Sequence, residues 1–263
     1  MKFTRRVFSA AALTAALALG ACGGSSDTPG AGQSRFERAS DRGLGNPDAP
    51  VTIIEYASVA CAHCAVFHEE VYPTLHDNYI ETGQVRFVLR EMITGSPQFA
   101  IAGFSLAHCV PEERYYDMVD LLFQQQRAIF QAAQTQGNAS GQYLAIARSM
   151  GLSEQDFRAC LNDADINAEI VAAHDRAIAD GINSTPRFML NGAMLESRRA
   201  PGATDYTYFL DDRQVVVDGE PVPGIPTAEN FTRVVNFVLA EAGAAPASDD
   251  APADSEAEGE PAQ

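Results

Sequence analysis

Positive charge is scarce in this sequence. Its 263 residues carry 18 Lys and Arg against 35 Asp and Glu, a formal net charge of −17 at pH 7. Such an acidic chain lacks the basic footprint from which nucleic-acid binding draws its affinity, so nucleic acid is excluded as a partner. Long apolar runs are missing too. The N-terminal one, Val7 to Leu19, is too short and alanine-rich to cross a hydrocarbon core about 30 Å thick. Cysteine is sparse, with five in all. Only Cys61 and Cys64 stand close together. A structural zinc site usually shows a second ligand pair, and the distant Cys109 and Cys160 do not supply one. No internal repeat is present. Glu241 to Gln263 has seven acidic residues, no basic ones and no hydrophobic side chain larger than alanine. It cannot bury enough apolar surface to order itself, so 241–263 is expected to be a disordered, solvated tail.

What is present begins with a leader. Lys2, Arg5 and Arg6 precede the apolar run, and small residues follow it, the pattern of an export signal over 1–21. Leu19-Gly20-Ala21-Cys22 resembles the lipobox of bacterial lipoproteins, which implies acylation of Cys22 and attachment to a membrane surface. Thr4-Arg5-Arg6-Val7-Phe8 also resembles a twin-arginine signal. Gly23 to Ser26 open a Gly/Ser-rich stretch, and 22–45 is expected to be a flexible tether. Subtracting the leader's three basic residues and the tail's seven acids leaves about −13 on the remainder, which fits one compact domain with an insertion. With Cys22 assigned to lipid, the other four cysteines form an even count in an oxidising compartment, which suggests two pairs.

The pattern then alternates. After the turn-like Asn46-Pro47-Asp48-Ala49-Pro50, Val51 to Ala57 reads as a strand buried on both faces, with Glu55 the oddity in it. Cys61 to about Asp77 reads as a helix and Val85 to Leu89 as a second strand, together a βαβ unit. From Pro97 to about Ile182 only helical periodicities occur, with Ser153 placed as an N-cap. Strand character returns at Arg187 to Leu190, and an amphipathic helix runs from about Ala228 to Ala240. The fold class is therefore α/β, interrupted by a helical block.

Cys61-Ala62-His63-Cys64 falls at the strand-to-helix junction. The first amides of a helix are unpaired and its dipole end is positive, so a thiolate at Cys61 is stabilised there. His63 can add a positive charge or a donor. The two-residue spacer lets Cys64 reach Cys61 to close or resolve a mixed disulfide. Cys61 is thus the expected nucleophile and Cys64 the buried resolving thiol. The competing reading is a structural disulfide, or a metal site with His68 as third ligand.

Asn46 to Ser58 followed by Cys61-Ala62-His63-Cys64, together with Val85 to Arg90 and Gly181-Ile182-Asn183-Ser184-Thr185-Pro186, resembles the DsbA-like thiol–disulfide oxidoreductases over most of 46–240. The resemblance implies a thioredoxin fold with an inserted all-helical subdomain. The thioredoxin part would comprise 46–96 and 182–240, and the insertion 97–181. It implies that Thr185-Pro186 is a cis-proline loop facing the CxxC and contacting substrate. It implies that Glu55 is the buried acid beneath the motif, suited to exchange protons with Cys64. It matches His63 to the family's histidine. It allows, without requiring, a second disulfide in the helical subdomain, for which Cys109 and Cys160 are the candidates. Two departures stand out. Ala62 occupies the usual proline position. And Ala193 to about Arg213 intervenes before Gln214 to Gly219, where the family normally turns directly into a final hairpin strand; this insertion is expected to lie away from the chemistry.

The leading expectation is a dithiol oxidase of the periplasm or cell envelope, acting on exported cysteine-containing proteins and served by a membrane redox partner. The two sulfurs carry the electrons, so no cofactor and no metal is expected. The alternatives are a reductase or isomerase, and a non-catalytic metal-binding lipoprotein using Cys61, Cys64 and His68. Isomerases usually need an oligomerisation module, and 22–45 is too short to hold one, so a monomer is expected.

Overall fold

The computed structural model describes residues 33–244. The leader, Cys22 with the first part of the tether, and 245–263 lie outside the described residues.

A seven-stranded mixed sheet forms the centre. β2 (Val51–Ala57) is buried along its whole length and pairs in parallel with β3 (Val85–Glu91), Ile53 opposite Phe87 and Ala57 opposite Glu91. Parallel neighbours need a crossover. It is supplied by α1 (Ala62–Glu70), α2 (Tyr72–Leu75) and a π-helical turn over His76–Ile80. β4 (Arg187–Leu190) lies antiparallel on the other side of β2. With β1 (Gly43–Leu44), β5 (Ala193–Arg199), β6 (Tyr206–Leu210) and β7 (Arg213–Gln214), the strand order is β1-β3-β2-β4-β5-β6-β7. β8 (Val216–Val217) and β9 (Glu220–Pro221) form a separate hairpin.

Between β3 and β4 the chain is helical. It runs through α3 (Pro97–Cys109), a 3-10 turn at Glu112–Arg114, α4 (Tyr115–Gln136), α5 (Ser140–Ser149), α6 (Glu154–Leu161) and α7 (Ala164–Ala179). Ser153 caps α6 in a reciprocal capping box with Asp156. α8 (Ala228–Glu241) closes the fold, its first turn capped by Thr227. The sheet's front face is packed by α1 and α8. Phe67, Phe188 and Phe231 meet there with ring centroids 4.5 to 5.2 Å apart. The architecture is the α/β thioredoxin fold with a helical insertion.

Four expectations need correction. Residues 33–45 are not tether. Glu37 is buried against Arg86 (Nε–Oε1 3.0 Å), Asp41 pairs with Arg90 (2.7 Å), and β1 pairs with β3. β3 places both arginines on the back of the sheet, and a buried guanidinium left unpaired is strongly unfavourable, so the segment that answers them is held down. Second, α7 packs on the sheet as well as on the bundle: Ala177 and Ile182 join Ile54, Tyr56 and Val88 in a back-face cluster. Third, Glu241 is the last residue of α8 and pairs with Arg213, so the tail does not start there.

The fourth concerns Ala193 to Arg213. β5 pairs directly with β4 (Phe188 opposite Leu195) through the Asn191-Gly192 turn, so it is itself the hairpin strand assigned to Gln214–Gly219. The additional elements are β6 and β7. Because β5 runs antiparallel to β4, it returns toward the Thr185–Pro186 end of the sheet, and loop 200–205 emerges at that end. It does so two strands across from β2, at about 4.8 Å per strand. The β6–β7 turn lies at the far end, beside the Asn191-Gly192 turn.

Candidate active site

Cys61 is the N-cap of α1. Its backbone is extended (φ −95°, ψ 121°), and its side chain makes no capping hydrogen bond of full geometry, though the nearby amides of His63 and Cys64 favour its thiolate. Both Cys61 and Cys64 are free thiols, Cys61 half-buried and Cys64 wholly buried. A hydrogen bond from the Cys64 thiol is the main influence on Cys61. Partial burial opposes it, while the Thr185 hydroxyl and the helix amides reinforce it, and the thiol is brought down to about 5. Burial drives Cys64 the other way, far above an ordinary thiol, aided by its bond to Cys61 and by the charge of Glu55. One sulfur is therefore poised as a thiolate and the other held as a thiol.

The Thr185–Pro186 peptide bond is cis. The Cys61 sulfur lies 3.4 Å from the Thr185 carbonyl oxygen, and the Thr185 hydroxyl is 2.6 Å from that of Thr94. Ser58 donates to the Thr94 carbonyl (3.0 Å), tying the 92–96 loop to the CxxC turn. Gly95 permits this approach: at φ +75°, a Cβ there would stand 2.2 Å from the Ala60 oxygen. From α4, the buried Gln126 amide donates to the carbonyls of Val59 (2.8 Å) and Cys61 (3.0 Å) in the turn into α1, the latter also accepting from the Ala65 N–H.

Glu55 sits on the central strand β2, fully buried, with Oε2 2.9 Å from His68 Nε2. His68 is on the same face of α1 as Cys64, one turn on. Its Nδ1 is 3.5 Å from Asp120 of α4, and its ring stacks on Phe123 at 4.0 Å. Burial works against a charged imidazole here. The carboxylates of Glu55 and Asp120 outweigh it and raise His68 to about 9.

A groove of about 1570 Å³ between α1 and α4 opens beside Cys61, with His63, Val66, His68, Asp120 and Phe123 among its walls. The His63 side chain is exposed at its mouth. Cys109 and Cys160 are joined in a disulfide that ties α3 to α6, Cα atoms 6.2 Å apart. Among the described residues no three His, Cys, Asp or Glu side chains are placed to hold a metal ion. Both His68 nitrogens face carboxylates, which leaves that ring no role as a third ligand to the sulfurs.

Sequence reasoning brought together Cys61, Cys64, His63, Glu55, Thr185 and Pro186. It missed Thr94, Gly95, Gln126 and Asp120, and gave His68 the wrong company. The α1 spacing Cys64–His68 was a signal that both share a face; nothing local connects Asp120 to Glu55.

A family profile described as Thioredoxin matches residues 37–211, and the chain belongs to that family. A Rickettsia conorii protein with the provisional name of protein-disulfide oxidoreductase is 30% identical over 156 residues, 58% of this chain and 53% of that protein. The chain thus spans about half the length of the curated relatives it matches. Among solved structures, alpha-DsbA1 of Wolbachia pipientis superimposes with a TM-score of 0.59 at 26% identity, covering 77% of this chain and 92% of that one. BdbD of Bacillus subtilis, oxidised, gives 0.57 at 17% identity, covering 76% and 93%, a likeness of fold. Within its family the protein is DsbA-like.

Proposed function

We propose that this protein is a thiol–disulfide oxidoreductase that works as a dithiol oxidase on exported cysteine-containing proteins. The observation that carries this reading is the opposition of the two sulfurs: Cys61 held as thiolate near 5 at a helix start, Cys64 buried as thiol beneath it. Stabilising the reduced thiolate makes the disulfide form a stronger oxidant. In the forward reaction a substrate thiolate attacks the Cys61 sulfur of the Cys61–Cys64 disulfide. The S–S bond breaks, its electron pair goes to Cys64, and Cys64 takes up a proton. A second substrate thiolate then attacks the substrate sulfur of the mixed disulfide, and Cys61 leaves as thiolate. The substrate ends oxidised and the protein reduced.

Thr185 and Pro186 border Cys61 and are assigned to substrate contact. Glu55 beneath Cys64 is assigned to proton exchange, His63 to the mouth of the site, and Cys109–Cys160 to bracing the helical block. Reoxidation falls to a membrane redox partner. The leader and Cys22 support a periplasmic or envelope location with a lipid anchor, the protein acting as a monomer. Changing Cys22 to serine is expected to release it from membranes or block processing. The deciding experiment is the Cys61–Cys64 reduction potential. A value near the roughly −120 mV of strong oxidants supports an oxidase, and one near the roughly −270 mV of thioredoxin makes the protein a reductase.

A further inference from the structure

Opening the active-site disulfide leaves Cys64 needing a proton where solvent does not reach. Cys64 has no exposed surface, and in the mixed disulfide the substrate is bonded to the neighbouring, half-exposed Cys61. Beneath it lies Glu55, equally buried, whose charge bears on Cys64. Glu55 in turn touches His68, and His68 touches Asp120, whose side chain is one-third exposed and borders the groove between α1 and α4.

A second feature marks the same spot. Buried polar atoms are rarely left without a hydrogen-bond partner. Six side-chain atoms without a full hydrogen bond occur among the described residues, and four converge here: Glu55 Oε1, Tyr72 OH, and the facing pair His68 Nδ1 and Asp120 Oδ1, which stand 3.5 Å apart, an ion-pair contact longer than an ordinary hydrogen bond. The His68 ring is fixed between Phe123 and Tyr72, so its two nitrogens can only point at the two carboxylates. A cluster built solely for stability would pair these atoms.

We propose that His68 is a positioning residue for proton delivery. Clasped between Glu55 and Asp120, it joins the buried carboxyl beneath Cys64 to the groove, so that the sulfur leaving the opened disulfide is protonated by way of α1 rather than past the substrate. In balance, Cys64 thiolate and protonated His68 become Cys64 thiol and neutral His68, with Glu55 as the intervening acceptor and donor. The proton lost is restored from the groove on the Asp120 side. In the reverse direction the same path removes the Cys64 proton. The charged groups that bear on His68 are Glu55 from β2 and Asp120 from α4, with the rings of Tyr72 from α2 and Phe123 from α4 packed against it; Arg127 and His76 line the groove that Asp120 borders.

This inference rests on the assignment of Glu55 to Cys64, and the test separates the two. Oxidised full-length protein is mixed with a synthetic two-cysteine peptide in stopped flow from about pH 5 to 10, and the rate of disulfide opening is corrected for the peptide's own thiolate fraction. In the wild type the corrected rate is expected to fall as pH passes about 9, where His68 loses its proton. His68→Gln keeps a donor toward Glu55 but cannot pass a proton. It should slow opening on the order of 100-fold, the low end of what positioned proton transfer supplies, and abolish the alkaline limb. Asp120→Asn, a change at the groove wall that spares the core, should slow opening less and shift the same limb downward. Wild-type rates and an unchanged limb in both variants, with Glu55→Gln slow, would overturn the relay and leave Glu55 in place. A wild-type profile in Glu55→Gln as well would overturn the assignment of Glu55 itself.

Discussion

The two cysteine pairs of the folded domain share a chemistry and differ in nearly everything the fold supplies. Cys61 and Cys64 lie three residues apart at the start of a helix, flanked by a cis-proline loop, unbonded and with their proton affinities driven in opposite directions. Cys109 and Cys160 are 51 residues apart, at the C-terminal ends of α3 and α6 rather than at a helix start, and are bonded. A thiol becomes reactive through unpaired amides, a donor and access. It becomes a brace when two elements are packed together and its sulfurs meet. The same residue thus takes either role according to what surrounds it.

The comparison breaks hardest at Cys61. Cys61→Ser is expected to abolish disulfide exchange outright, whereas Cys64→Ser should attack substrate and accumulate mixed disulfides on a non-reducing gel. Trapping by the Cys61 variant alone would reverse the roles. The other pair should show the opposite profile. Replacing Cys109 and Cys160 together by alanine should lower stability to urea by about 4 kcal/mol, less any relaxation, since the bond closes a long loop of the unfolded chain. The Cys61–Cys64 potential should meanwhile move by less than about 30 mV, equivalent to roughly 1.4 kcal/mol. A large shift in potential would make this pair a tuning element rather than a brace.

Protonation sharpens the contrast. Cys61 has a depressed folded-state value, so its thiolate contributes stability that is full above the ordinary thiol pKa and is lost as pH falls through about 5. Protein with Cys61 and Cys64 reduced should therefore gain thermal stability relative to the oxidised form as pH rises from 5 toward 9. Parallel melting curves would contradict it. Thr185→Val removes one donor to that thiolate and should raise the Cys61 midpoint by about half a unit to one unit, in line with a net hydrogen bond of ~1 kcal/mol; ultraviolet thiolate absorbance reads it. The smallest effect is expected from Ala62→Pro. Position 62 is the first residue of α1, where proline is tolerated and stiffens the unfolded chain, so a gain of about 0.4–1 kcal/mol is expected.

Much of this was legible in local signals. The apolar run of β2, the CxxC after it, the helical periodicities from Pro97 onward and the Ser153 cap are features of adjacent residues, and each led to its element. The errors arose where remote segments meet. Nothing in the composition of 33–45 shows that Glu37 and Asp41 answer Arg86 and Arg90, because those partners lie 49 residues away on the back of the sheet. The β4–β5 hairpin was misread because Ala193 to Arg199, though paired with a strand on each side, buries only Leu195 and carries charge on its more exposed positions, so it lacks the apolar signature of a buried strand.

By itself, then, the sequence determined the nature of the reactive group and its local setting. A cysteine that begins a helix has the unpaired amides that stabilise its thiolate, wherever that helix is packed. It also determined the alternation of strand and helix, since periodicity is a property of neighbouring residues. Only the tertiary structure decided what surrounds the sulfurs: the cis-proline loop against Cys61, Gly95 against Ala60, Gln126 on the turn, and Glu55, His68 and Asp120 in one line from three different elements. These contacts join positions up to 124 residues apart. Their geometry is set by how the sheet and helices close over a shared core, which no stretch of sequence carries alone.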